Sequence, residues 1–148
     1  MEELLALSGL EVLERIVDGR LPHPSMAHTL GFCLTEVEKG RAVISAETGP
    51  DYCNPNGSIH GGWPAAVLDS SMGSAVHSTL PANADFTIVE FKIDFVRPIT
   101  VRTGKVRAEG RVVRVGRQIG LADGALRDSR GRVLAKGSTT CLITRSAN

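Results

Sequence analysis

Two glycines and one carboxylate carry the spacing that could do chemistry in this chain. Gly61 and Gly62 stand between His60 and Trp63-Pro64, and Asp69 follows Gly61 by eight residues. The run Asn54-Pro55-Asn56-Gly57 just upstream is turn chemistry, because Pro fixes φ and Asn and Gly tolerate positive φ. Pro64 then sits where a helix accepts it, in the first turn. The first turn of a helix leaves N–H groups without intrahelical acceptors, and with the macrodipole they attract an oxyanion or a polarised carbonyl. Gly61 and Gly62 lack a Cβ, so a ligand can approach that backbone closely. Gly61 is therefore a candidate oxyanion donor, with Gly62 beside it in the substrate contact.

Eight residues of helix separate Gly61 from Asp69 by about 12 Å, too far for both to touch one reacting carbonyl. If the two act together, Asp69 must come from a second chain. Two such helices lying antiparallel would each give an N-terminus to one site and a carboxylate to the other, which predicts a homodimer. The helix itself is expected over about 62–79. Its residues are small (Ala65, Ala66, Ser70, Ser71, Gly73, Ser74, Ala75), which suits a helix enclosed by a curved sheet.

The elements that must position this helix read mostly as strands. Residues 28–38 and 41–48 predict a pair turning at Lys39-Gly40. In Phe86 to Val96, Val89, Phe91, Ile93 and Phe95 alternate with Ile88, Glu90, Lys92 and Asp94, so the first set is expected on the core face. Val106, Ala108, Gly110 and Val112 alternate with charged residues. Turns near Val115-Gly116 and at Asp128-Ser129-Arg130-Gly131 then divide the rest into two further strands. Glu2 to Asp18 predicts an amphipathic helix with an apolar stripe through Leu4, Leu5, Leu7, Leu10, Leu13, Ile16 and Val17, stopped by Gly19. It either packs on the sheet or forms a lid over a pocket. About six strands and one long helix make an α+β pattern with an antiparallel sheet.

Asn54, Gly57, His60-Gly61-Gly62, Leu68-Asp69 and Gly73, followed by Phe95-Val96-Arg97-Pro98 and Val115-Gly116-Arg117, resemble the hotdog-fold acyl-CoA thioesterases. The nearest subgroup is the PaaI-like one, related to the phenylacetyl-CoA and 4-hydroxybenzoyl-CoA thioesterases. The resemblance spans about 21–144 and implies a single domain over 1–148: an N-terminal helix within 1–20, then a hotdog core whose sheet wraps the central helix. It implies hydrolysis of an acyl-CoA thioester to the free acid and coenzyme A by a homodimer or a dimer of dimers, with no cofactor beyond the coenzyme A of the substrate. By resemblance Asp69 is the nucleophile or general base, the Gly61 amide polarises the thioester carbonyl, and Asn54 orients water or substrate.

Other residues carry weaker expectations. His60 lacks a serine or cysteine at a nucleophile elbow and is expected to brace the loop by hydrogen bonds. His77, late on the helix, is expected to complement its dipole. Trp63, the only tryptophan, is either packed in the core or lines the acyl pocket. The family often places a Ser or Thr one turn after the carboxylate, where this chain has Gly73, and Thr87 or the position after it is the candidate substitute. Arg97, Arg114 and Arg117 are candidates for the phosphates of coenzyme A, because a guanidinium meets phosphate with a planar fork of donors.

Composition excludes several other classes. With 17 basic against 16 acidic residues, the net charge of +1 gives no general attraction to nucleic acid or an anionic membrane. No run of 18 apolar residues and no charged-then-apolar leader appears, so neither a spanning helix nor a secretory signal is expected, and a cytoplasmic location is. Cys33, Cys53 and Cys141 fit neither a disulfide framework nor a zinc motif, so no metal is expected. Two other functions remain open: a non-catalytic acyl-CoA binding module, and an enoyl-thioester hydratase. The hydratase needs a His a few residues after the Asp, and here the first is His77.

Overall fold

Residues 6–145 are described by a computed structural model. Chain order gives α1 (Gly9–Val17), α2 (Ser25–Leu30), β1 (Phe32–Glu38), β2 (Arg41–Glu47), α3 (Gly62–His77), β3 (Ala84–Phe95), β4 (Lys105–Val115), β5 (Ile119–Asp128) and β6 (Val133–Arg145). The six strands form one antiparallel sheet in the order β1-β2-β4-β5-β6-β3. The central helix α3 lies across the inner face of β2, β4, β5 and β6. A six-stranded antiparallel sheet curled around one long helix is the hotdog fold.

The sheet is shaped to receive this helix. Gly110, Gly124 and Gly137 pair across β4, β5 and β6 as one row beneath the middle of α3. A Cβ on Gly110 would collide with the Ser71 carbonyl, and one on Gly124 would stand 2.9 Å from Met72 Cγ. One on Gly137 would lie 3.1 Å from Met72 Cε. The missing side chains let Leu68, Met72 and Val76 press into the sheet with no solvent exposure. Gly110→Ala is accordingly expected to cost ~2–3 kcal/mol by overpacking against rigid backbone, a fall in Tm of roughly 6–10 °C for a chain of this size. Gly116→Ala is the control, since its Cβ would meet only the Ile119 carbonyl at 3.5 Å. Thermal unfolding of the two variants separates these outcomes.

Three sequence expectations change. The N-terminal helix begins at Gly9 and not at Glu2, because Ser8 and Glu11 form a capping box: Ser8 Oγ accepts from the Glu11 N–H at 3.3 Å, and the Ser8 N–H donates to Glu11 Oε2 at 2.8 Å. The expected stretch from Glu2 to Leu5 lies outside the described residues. Gly19 does end this helix, with φ of 75°. The expected strand over 28–38 begins only at Phe32, because residues 25–30 form the short helix α2, closed by Gly31 at φ 66°.

The alternation in β3 is the third. A bulge between Ile88 and Glu90 inserts Val89 and shifts the parity. Phe86 and Ile88 pack inward before it, and Phe91, Ile93 and Phe95 share the helix-facing side after it, paired with Thr139, Gly137 and Ala135. Val89 is 56% exposed and Ile88 takes the inward place that alternation assigned to Val89. In the single chain Phe91 and Phe95 also stay exposed, because β3 is an edge strand.

Candidate active site

The turn before α3 is held by its own polar side chains. Asn54 donates from its N–H to the Ser58 carbonyl at 2.7 Å and from Nδ2 to Ser58 Oγ at 3.0 Å, while its carbonyl accepts from the Gly57 N–H at 2.9 Å. Gly57 closes the turn at φ 83°. Isolated bridges from Cys53 to Ile59 and from Ser58 to Thr100 then tie the loop to the segment after β3. The helix start is thereby fixed against Ile99 and Thr100.

At that start, His60 Nδ1 accepts a hydrogen bond from the Gly62 N–H at 2.9 Å. His60 is thus a bracing acceptor, exposed at its edge. The Gly62 N–H is thereby taken, and a Cβ on Gly62 would meet the His60 imidazole at 3.0 Å, so its missing side chain makes room for His60. Gly61 differs. With φ −58° and ψ −23°, its N–H has no acceptor among the described residues, and it lines a cavity of about 450 Å³ with Ser58, Pro64, Phe95 and Arg97. An unpaired donor at a helix N-terminus beside an open cavity can bind a developing oxyanion.

Asp69 lines a different cavity, of about 380 Å³, whose walls come from α1, α2, β1, β2, α3 and β3. Leu13, Ile16, Met26, Leu34, Phe86 and Ile88 make it mostly apolar. Asp69 is half-buried and accepts no hydrogen bond among the described residues, and burial raises its pKa above the ordinary carboxylate value. A partly desolvated carboxylate without partners in an apolar cavity is suited to taking a proton. Gly73, one turn on, explains the missing hydroxyl: a Cβ there would stand 3.2 Å from Phe86 Cε2 and 3.4 Å from Ile88 Cδ1, so β3 side chains fill that place.

Of the remaining candidates, the structure unites some and scatters others. Arg97 shares the cavity of Gly61 and donates from Nη1 to the Val133 carbonyl at 2.6 Å. Arg114 and Arg117 are exposed at the end of β4 and in the turn after it, and line neither cavity. Thr87 is exposed between inward-facing Phe86 and Ile88, so its hydroxyl points away from the Asp69 cavity, while Ile88 lines it. Of the two places open to Trp63, it takes the core: it is 3% exposed, stacks on Tyr52 with ring centres 5.1 Å apart, and donates from Nε1 to the Leu30 carbonyl at 2.8 Å. Asn54 lines neither cavity. His77 packs against Phe86, and burial lowers its pKa against the opposing pull of Asp85, which favours the uncharged ring over a cation at the end of the helix. Among the described residues, no group of three His, Cys, Asp or Glu side chains converges as a metal site, and no helix is long and apolar enough to cross a membrane.

The apolar wall over Asp69 escaped the sequence reading. Its residues run from Leu13 to Ile88 and meet only once the sheet has curled. The only sequence signal was the stripe through Leu13 and Ile16.

Residues 56–135 match the Thioesterase superfamily, and the chain belongs to that family. Over 110 residues the chain is 29% identical to a Saccharolobus solfataricus protein that carries the name of an esterase, covering 74% of this chain and 76% of that one. A phenylacetic acid degradation-related protein of Ralstonia eutropha JMP134 superposes with a TM-score of 0.79 at 28% identity, covering 88% of this chain and 98% of that one. The E. coli PaaI protein of the phenylacetic acid degradation operon shares the fold, with a TM-score of 0.79 at 20% identity over 95% of this chain and 98% of that one.

Proposed function

We propose that this chain hydrolyses acyl-CoA thioesters at sites shared by two copies of itself. The observation that carries the reading is the division of the machinery within one chain. Gly61 with its unpaired N–H and Asp69 with its burial-raised pKa line two cavities that have no lining residue in common. The edge strand β3, with Val89, Phe91 and Phe95 exposed, supports a second copy beside it, since such an edge is otherwise open to uncontrolled pairing.

In this reading Asp69 takes a proton from water, and the oxygen of that water attacks the thioester carbonyl carbon. The resulting oxyanion is held by the Gly61 N–H of the other copy. Collapse breaks the C–S bond, and the coenzyme A thiolate leaves with the proton that Asp69 held. Arg97, in the cavity of Gly61, faces the coenzyme A side and is placed to meet its phosphates. Burial favours the base role because it raises the proton affinity of the carboxylate. If Asp69 were the nucleophile instead, rapid quenching would trap an acyl group on the protein.

Hydrolysis of a panel of acyl-CoAs, followed by release of free thiol, tests the proposal. Turnover of at least one member is expected. Binding of coenzyme A esters with no turnover of any member would overturn it in favour of a binding module.

A further inference from the structure

The cavity that holds Asp69 is closed on one side by residues that precede the stretch matched by the family model. That match begins at residue 56, whereas Leu13 and Ile16 of α1 and Met26 and Ala27 of α2 form the outer wall. The inner wall is Ile44, Phe86 and Ile88 from the sheet. An acyl group whose carbonyl lies at Asp69 must run between these walls, because they enclose the open volume next to that carboxylate.

We infer that α1 and α2 select the acyl group, and that the cavity takes an apolar, unsubstituted acyl group of about six to ten carbons, judged from about 30 Å³ per heavy-atom group in a partly open space of about 380 Å³. The inference rests on the thioesterase reading and names its substrate class. Apart from Asp69, the polar side chains on the lining among the described residues are His23, Ser70 and Ser74. A hydroxyl or charge deep in the acyl group would lose its water there, so hydroxybenzoyl thioesters are disfavoured. Met26 is the adjustable part of the wall. It is 56% exposed yet lies over the cavity, and the flexible thioether side chain adapts to whatever sits beneath it.

The test is kcat/KM across straight-chain acyl-CoAs of two to fourteen carbons, with phenylacetyl- and 4-hydroxybenzoyl-CoA, for wild type, Met26→Trp and Met26→Ala. Each buried methylene is worth about fourfold, so wild type is expected to rise by roughly 10²-fold from butanoyl to octanoyl and to turn over the 4-hydroxybenzoyl ester poorly. Met26→Trp is expected to lower the octanoyl-to-acetyl ratio about tenfold, and Met26→Ala to move the optimum to longer chains by about two carbons, a few methylenes' worth of wall. The ratio is insensitive to partial unfolding, which lowers both rates together. Equal ratios in all three proteins would overturn the inference while leaving hydrolysis in place. If no ester turns over, calorimetric binding of octanoyl-CoA against coenzyme A decides. Chain-length-dependent affinity weakened by Met26→Trp keeps the cavity assignment and removes the hydrolase reading, and affinity indifferent to the chain removes both. A higher rate on phenylacetyl- than on octanoyl-CoA would place an aryl ring in the same apolar cavity.

Discussion

Asp69→Asn is expected to cut kcat by roughly 10²–10⁴, the range for removal of a positioned general base, with little change in KM. Asn fills the same space but cannot take a proton from water. Two pH measurements accompany the rate. Only the ionised carboxylate is a base, and burial holds its pKa above the ordinary value. The rate should therefore rise with pH through that raised value, displaced upward from where an exposed aspartate would place the acid limb. Stability should run the opposite way. Between the unfolded value of about 3.9 and the raised folded value, the folded state holds a proton that the unfolded state has released, so wild-type stability falls as pH rises through that window. The Asn variant has no such loss. Its Tm advantage over wild type is expected to grow across the window and to stay level above it. A variant that loses activity and Tm together at neutral pH would make Asp69 a structural residue.

The turn and the helix that carry Gly61 and Asp69 were legible early, because the features behind them are local. Turn residues before Gly61, Pro64 in the first turn and one carboxylate two turns on need no tertiary information to be read. The strand β4 was equally open, since its alternation of Val106, Ala108 and Gly110 with charged residues runs unbroken. β3 misled because a bulge at Val89 has no glycine or proline to announce it, and one extra residue reverses every assignment on one side of it. α2 was hidden by its length: six residues between Pro24 and Gly31 look like a loop when a helix is sought by periodicity. The leucines ahead of Ser8 hid the start at Gly9, although Ser8 and Glu11 carry a capping signature. Alternation also shows that Arg114 is outward without saying whether outward means toward a site, and so it was grouped with Arg97. The Asp69 cavity was beyond any local reading, being assembled from six elements.

Mixing two inactive variants is expected to restore about a quarter of wild-type activity, if each site draws Gly61 from one copy and Asp69 from the other. The first variant is Asp69→Asn. The second is Gly61→Pro, which removes the N–H while keeping the backbone, since φ at this position is −58° and proline fixes φ near −65°. Its ring would press on the exposed Phe95 side chain, which a Cβ meets at 3.2 Å and which can move. Alone, Gly61→Pro is expected to lower kcat by roughly 10²–10³, as loss of one oxyanion donor does. In a mixed dimer the two lesions fall together in one site and leave the other intact. Random exchange of equal amounts makes about half the dimers mixed, each with one working site of two, hence about a quarter. Co-refolding the variants under separate tags allows both readings: the unfractionated mixture should recover about a quarter of wild-type activity and the doubly tagged fraction, in which every dimer is mixed, about half. No recovery would mean that Gly61 and Asp69 serve one site within a chain, which about 12 Å of rigid helix between them and two separate cavities argue against. Recovery would also fix the direction in which the substrate lies, its acyl group in the copy that gives Asp69 and its coenzyme A along the copy that gives Gly61 and Arg97.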